Sequence, residues 1–198
     1  AIVRIFDLMD DDSDKEAKGD VILPHISGDI QFEDVWFGYN DDDYVLKDVN
    51  FSLKAGKSLA IVGATGAGKS SIINLITRLY TIQKGAIRID GHNVNDLNIK
   101  SLRDQVGVVL QNVFLFAGSI TDNVNLRNES ITQDNMNAAA ASIDALDFIQ
   151  ALDQGWEYKV MERGSSLSVG QRQLISFIRA MAANPSVLIL DEATSSVD

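Results

Sequence analysis

Three hydrophobic patterns follow one another along the chain. DIQFEDVWFGY (29–39) and YVLKDVNFSLK (44–54) nearly alternate apolar and polar positions and are separated by the acidic run Asp41 to Asp43, the pattern of two adjacent antiparallel strands. SLAIVG (58–63) is instead an unbroken apolar run, suited to a strand buried on both faces. Glycine-rich residues follow, and SSIINLITRLY (70–80) then places Ile72, Ile73, Leu75, Ile76 and Leu79 at helical spacing. The order is strand, loop, helix.

Further on, AIRID (86–90) predicts a strand closing on a glycine turn, and VGVVLQ (106–111) a second buried strand. From Ser119 to Leu152 the Ala-rich, polar text predicts several short helices with no strand between them. A last helix runs from about Ser168 to Met181. It stops before Asn184-Pro185, because proline disfavours the helical conformation in its predecessor. SVLILD (186–191) is the third buried strand.

The start of the chain is of another kind. Ile2, Val3, Ile5, Phe6 and Met9 form a helical apolar stripe running into an acidic cluster, Asp10 to Asp14. Two readings fit: a short helix followed by a solvated linker, or the tail of a longer helix from an upstream domain. Residues 10–29 have little periodicity, so residues 1–29 are expected to be a linker and the domain to begin at 30. No apolar run approaches the roughly 20 residues of a membrane-spanning helix, and the N-terminus lacks the pattern of a secretory signal, which predicts a soluble, non-exported chain.

Composition narrows the chemistry. With 198 residues and 45% hydrophobic content, one substantial domain is possible. A formal net charge of -11, from 17 Lys+Arg against 28 Asp+Glu, argues against a broad nucleic-acid or anionic-membrane footprint. The absence of cysteine removes disulfides and thiolate metal sites, and His25 and His92 stand in unrelated contexts, so a zinc enzyme is not expected.

GATGAGKS, from Gly63 to Ser70, fits G-x-x-x-x-G-K-[ST] and lies between a predicted strand and a predicted helix, the context that pattern needs. Gly63, Gly66 and Gly68 allow backbone N–H groups to turn inward, and the helix start adds unpaired donors and a positive dipole end. Ala64, Thr65 and Ala67 complete the loop, and Ser71 follows in the first helical turn. The predicted ligand is Mg-ATP. Lys69 is placed to reach the β- and γ-phosphates, and the Ser70 hydroxyl to ligate Mg²⁺. The second half of such a site is expected at Asp191 and Glu192, where the third buried strand ends. Asp191 is the expected Mg²⁺ partner, and Glu192 the carboxylate that orients and deprotonates an attacking water.

LSVGQRQ (167–173) has two readings. Ser168 and Gln171 form an S-x-x-Q capping box at a helix start. Together with the LILDEATSSVD block that follows, the same stretch resembles the signature of the ATP-binding cassette family, usually LSGGQ, and the resemblance extends over residues 30–198. It implies that Ser168, Gly170 and Gln171 complete the ATP site of an opposite subunit, and that Tyr39 stacks on adenine. It also implies that Gln111 contacts Mg²⁺ or the attacking water, and that Asp198 is the aspartate following the second carboxylate motif. ERGSSLS, with Glu162, Arg163 and Gly164, resembles the segment through which exporters couple to membrane helices.

The fold implied is α/β: a RecA-like P-loop NTPase core with an N-terminal antiparallel β subdomain and an inserted helical subdomain at about 112–180. The function implied is that of the ATP-hydrolysing cassette of an exporter, paired head to tail with a second cassette. It would be held at the cytoplasmic face of the membrane by a transmembrane domain of the same or a partner chain, with no nucleic-acid partner. Two departures stand out. Val169 replaces the first glycine of the signature pair, and the sequence stops at Asp198, before the family's switch histidine and last strands, so the cassette is expected to be C-terminally incomplete. A non-hydrolysing nucleotide-binding regulator is disfavoured by Glu192. A chromosome-maintenance ATPase would need a long heptad insert between loop and signature, and none is present.

Overall fold

The computed structural model describes residues 19–40 and 43–191. β1 (Ile30–Phe37) and β2 (Leu46–Leu53) form the expected antiparallel pair. The alternation in IQFEDVWF slips by one at Glu33-Asp34, and the backbone absorbs it. Asp34 takes φ 49° at an irregularity in the ladder, so that Ile30, Phe32, Val35 and Phe37 all reach the core. β3 (Lys84–Ile89) joins the other side of β1, also antiparallel, and β4 (His92–Asn93) pairs with β3, giving the order β2-β1-β3-β4.

α1 (Lys69–Ile76) buries Ile72, Leu75 and Ile76 against this sheet, in one core with Leu97, Leu102 and Val106. Its last turn is tied to α2 (Ile99–Arg103), where the Arg103 guanidinium donates to the carbonyls of Thr77 and Arg78. The apolar strands β5 (Val106–Val109) and β8 (Val187–Leu190) then pair in parallel, Val106 opposite Val187 and Val109 opposite Leu190. The C-terminal end of this pair matters, because it delivers Asp191.

One expected strand does not form. Residues 58–63 belong to no sheet among the described residues, and Leu59, Ile61 and Val62 remain exposed. The reason is pairing: an apolar run becomes a strand only where another backbone completes its ladder. Here a cavity of about 510 Å³, lined by residues 58–61 on one side and 186–191 on the other, separates the run from β8.

A second core lies in the helical part. It is built from β6 (Gly118–Ser119), α3 (Ile120–Asn125), α4 (Gln133–Ser142), α5 (Leu146–Ala151), β7 (Lys159–Val160) and α6 (Val169–Ala182) around Leu115, Ile120, Ile149, Ile175 and Ile178. Capping boxes start α3 (Ser119 with Asp122) and α4 (Thr132 with Asn135). The Ser119 backbone N–H and hydroxyl hold the Asp122 carboxyl below its usual range. Fully buried Asn123 accepts from the Phe116 N–H and donates to the carbonyls of Phe116 and Ser119, which fixes the segment entering the helices. Arg179, its guanidinium pushed below its usual value by burial, ties α6 to the carbonyls of Asn123 and Phe114.

The apolar stripe Ile2 to Met9 lies outside the described residues. From Gly19 onward, however, the expected linker is built into the β subdomain. Val21 exchanges backbone hydrogen bonds with Asp96 and Asn98, Ile26 is buried, and the Asp90 carboxylate accepts from the N–H groups of Ser27, Gly28 and Asp29.

Candidate functional site

The loop from Gly63 to Ser70 is shaped by positive φ at Gly66 (84°) and Gly68 (86°), with an Ala67 N–H to Ala64 carbonyl bond closing the turn between them. Gly68 has a second requirement, since a Cβ there would lie 2.6 Å from Leu46 Cδ2. It is also the N-cap of α1, and no side chain caps that helix. The first-turn N–H groups, which a helix cannot satisfy internally, are thus left for an anion. Lys69 Nζ donates to the carbonyls of Gly63 and Ala64 at 2.9 and 3.1 Å, so the ammonium is held across the loop it is expected to serve.

Asp191 arrives from the opposite direction in sequence. β8 ends at Leu190, and the Asp191 N–H continues the parallel ladder by donating to the Val109 carbonyl at 2.9 Å. Its carboxylate then accepts the Ser70 hydroxyl at 3.0 Å, although the two residues are 121 apart in sequence. A hydroxyl and a carboxylate, with no nitrogen or sulfur donor between them, fit Mg²⁺, which is commonly held by one or two carboxylates plus substrate phosphates and water. Gln111, two residues past β5, lies exposed at the same end of the parallel pair. Glu192 and Asp198 lie outside the described residues.

Tyr39 follows β1 and is half exposed. Its hydroxyl is 2.9 Å from Ser71 Oγ and accepts from Asn74 Nδ2 at 3.3 Å, both on α1. Ser71 is buried, so its side chain serves Tyr39 from behind the loop.

At the start of α6, Ser168 and Gln171 make the reciprocal capping box expected from S-x-x-Q. The Gln171 N–H donates to Ser168 Oγ at 3.2 Å, and the Ser168 N–H to Gln171 Oε1 at 2.9 Å. Val169 occupies the first helical position and is exposed, and Gly170 follows. None of Ser168, Gly170 and Gln171 lines the cavity beside Lys69 and Asp191. In the preceding turn, Arg163 and Gly164 both have positive φ, and Arg172 reaches back to the Leu167 carbonyl at 2.7 Å.

Two further features carry little local signal in the sequence. Asn74 and Tyr80 both touch Tyr39, a tertiary relation without a local pattern. Phe114 and Phe116 stand half exposed with ring centroids 5.0 Å apart, although VFLF reads as a core run. The buried Leu115 between them is the only signal of alternation.

A family model described as "ABC transporter" matches residues 46–195. The chain is 44% identical over 196 residues to the uncharacterized ABC transporter ATP-binding protein YknV of Bacillus subtilis, covering 98% of this chain and 32% of that protein. It is 42% identical over 195 residues to the "Probable multidrug resistance ABC transporter ATP-binding/permease protein YheH" of the same organism, covering 98% and 29% respectively. The chain thus spans about a third of the length of these curated relatives. Among solved structures, a bacterial Atm1-family ABC exporter with ATP bound superposes with a TM-score of 0.87 at 33% identity, over 100% of this chain and 35% of that one. With the phosphate loop, the strand that carries Asp191 and the capped start of α6 all in place, the match over residues 46–195 establishes that the chain belongs to the ABC transporter family, as an ATP-binding domain of the ABC ATPase fold.

Proposed function

We propose that the chain is the ATP-hydrolysing cassette of an exporter, and that it binds Mg-ATP through Gly63 to Ser71 and acts as a head-to-tail pair. The observation that carries this reading is the 3.0 Å contact between Ser70 and Asp191, which joins the two halves of the phosphate site across 121 residues. Loop N–H groups and Lys69 hold the β- and γ-phosphates, and the Tyr39 ring takes the adenine. Ser70 and Asp191, with Gln111 from the neighbouring strand, hold Mg²⁺, which when bound neutralises charge on the β- and γ-phosphate oxygens.

Hydrolysis forms a bond between the water oxygen and the γ-phosphorus and breaks the bond from that phosphorus to the β-bridging oxygen, giving ADP and phosphate. Glu192, next to Asp191, accepts the water's proton. Ser168, Gly170 and Gln171 of one copy close over the γ-phosphate bound by the other, with Asp198 at the junction. Among the described residues no helix is long and apolar enough to cross a membrane. The relatives include ATP-binding/permease proteins about three times the length of this chain, which supports a membrane domain in the same or a partner chain and a place at the cytoplasmic face.

Asp191→Asn tests the metal half of the site. ATP affinity measured with and without Mg²⁺ is expected to differ strongly in the wild type, and the substitution is expected to cut that Mg²⁺-dependent gain by on the order of tenfold or more. An unchanged gain removes Asp191 from the metal site.

A further inference from the structure

Tyr39 does not stand alone on the surface. Its ring meets Phe37 edge-on at 4.9 Å and Tyr80 edge-on at 5.0 Å, with interplanar angles of 78° and 88°. Phe37 and Tyr80 also touch, at 5.7 Å, so the three rings form a closed cluster. Phe37 is buried, which anchors the cluster to the core, whereas Tyr39 and Tyr80 each keep about half their surface open. The hydroxyl of Tyr39 is hung on α1 through Ser71 and Asn74.

The position of Tyr80 has its own cause. α1 ends in a Schellman turn, in which the Leu79 N–H donates to the Asn74 carbonyl at 2.8 Å and the Arg78 N–H to the Leu75 carbonyl at 3.1 Å. The left-handed residue of that turn is Arg78 (φ 53°), where glycine is usual. The buried Arg78 guanidinium donates to the Leu97 carbonyl, and Arg103 holds the Thr77 and Arg78 carbonyls. These bonds fix the turn that swings Tyr80 back against Tyr39. Asn74 serves twice, its carbonyl in the turn and its amide on the Tyr39 hydroxyl.

We infer that Asn74 and Tyr80 are positioning residues for base recognition, locking the Tyr39 ring to the same helix whose N-terminus receives the phosphates. This rests on Tyr39 being the adenine platform. α1 then acts as a ruler. Lys69 at its start sets the phosphates, Ser71 and Asn74 set the tyrosine hydroxyl, and the turn at its end sets the ring's second wall, so base and triphosphate are read at one fixed separation. A preformed platform spares the nucleotide the ordering of a loose side chain on binding. The ligand chemistry favoured is a purine nucleoside triphosphate over a triphosphate without a base.

The test measures affinities of the complete polypeptide for ATP and for inorganic triphosphate, both with Mg²⁺, in Tyr39→Ala, Asn74→Ala, Tyr80→Leu and Tyr80→Phe. Tyr80→Leu and Asn74→Ala are expected to weaken ATP by about threefold to tenfold while leaving triphosphate unchanged, since edge-to-face pairs and single hydrogen bonds are of that size. Tyr80→Phe keeps the ring and is expected to restore ATP affinity. Retained triphosphate binding shows that a variant is folded at the loop. If Tyr39→Ala lowers the ATP-to-triphosphate ratio and Tyr80→Leu and Asn74→Ala do not, or if they weaken both ligands equally, the positioning role is overturned. If Tyr39→Ala itself leaves the ratio unchanged, the adenine-platform reading fails.

Discussion

In the complete polypeptide, Glu192→Gln is expected to reduce steady-state ATP hydrolysis by about 10²–10⁴-fold, the size of a lost general base, while Mg-ATP affinity stays near wild type. The amide preserves shape and one hydrogen-bonding oxygen but cannot accept the proton that the attacking water must lose. On the proposed reading binding is spared, because the groups assigned to it lie elsewhere, in the loop N–H groups, in Lys69 and in the Ser70–Asp191 pair. The variant should accumulate as a closed, ATP-loaded pair, visible as an ATP-dependent shift in gel filtration. Phosphate release at the wild-type rate would remove Glu192 from the reaction.

Lys69→Ala is expected to lower Mg-ATP affinity by on the order of 10²-fold or more, since two charge-assisted contacts to the β- and γ-phosphates are lost at about 1.5–3 kcal/mol each. The substitution also removes the donor from the Gly63 and Ala64 carbonyls, so the loop itself loosens. Lys69→Arg separates the two effects. It keeps the charge but replaces a compact ammonium with a planar fork, and it should recover part of the affinity. A nucleotide titration showing unchanged affinity for the alanine variant would overturn the assignment of the loop.

What was legible in the sequence was local. The phosphate loop is a pattern within eight residues that lies between an apolar run and a segment of helical period, and the capping box at Ser168 and Gln171 spans one helical turn, so both could be read without knowing the fold. β5 and β8 were legible as a parallel pair from their unbroken apolar runs, although β8 is not buried as expected, since Leu188 and Leu190 face the cavity and stay exposed. The side of the molecule that AIRID joins was not legible. A strand's partner depends on residues distant in sequence, and here β3 turned out to be antiparallel to β1.

Where sequence and structure part, the cause is physical. The unbroken apolar run at 58–63 predicts a strand, but a strand also needs a ladder, and among the described residues no strand pairs with it. Residues 19–29 lie in the stretch 1–29 that is expected to be a linker, yet they pack on the β subdomain despite their lack of periodicity. Their order comes instead from three backbone N–H groups converging on the Asp90 carboxylate, a contact spanning more than sixty residues. Tyr39 has no local pattern beyond the family resemblance, and the structure adds its ties to Ser71, Asn74 and Tyr80.

The central claim is that the phosphate loop of one copy and the α6 start of another enclose one ATP. These 198 residues contain no cysteine, so within them an introduced pair has no competing thiol. Thr65, exposed in the loop, and Val169, exposed at the first position of α6, are the places for Thr65→Cys and Val169→Cys, combined with Glu192→Gln to stop turnover. The expected result is a disulfide between two chains that forms with Mg-ATP, is absent without nucleotide, and is absent in either single-cysteine variant. A chain that binds Mg-ATP with normal affinity yet forms no such inter-chain disulfide would contradict it.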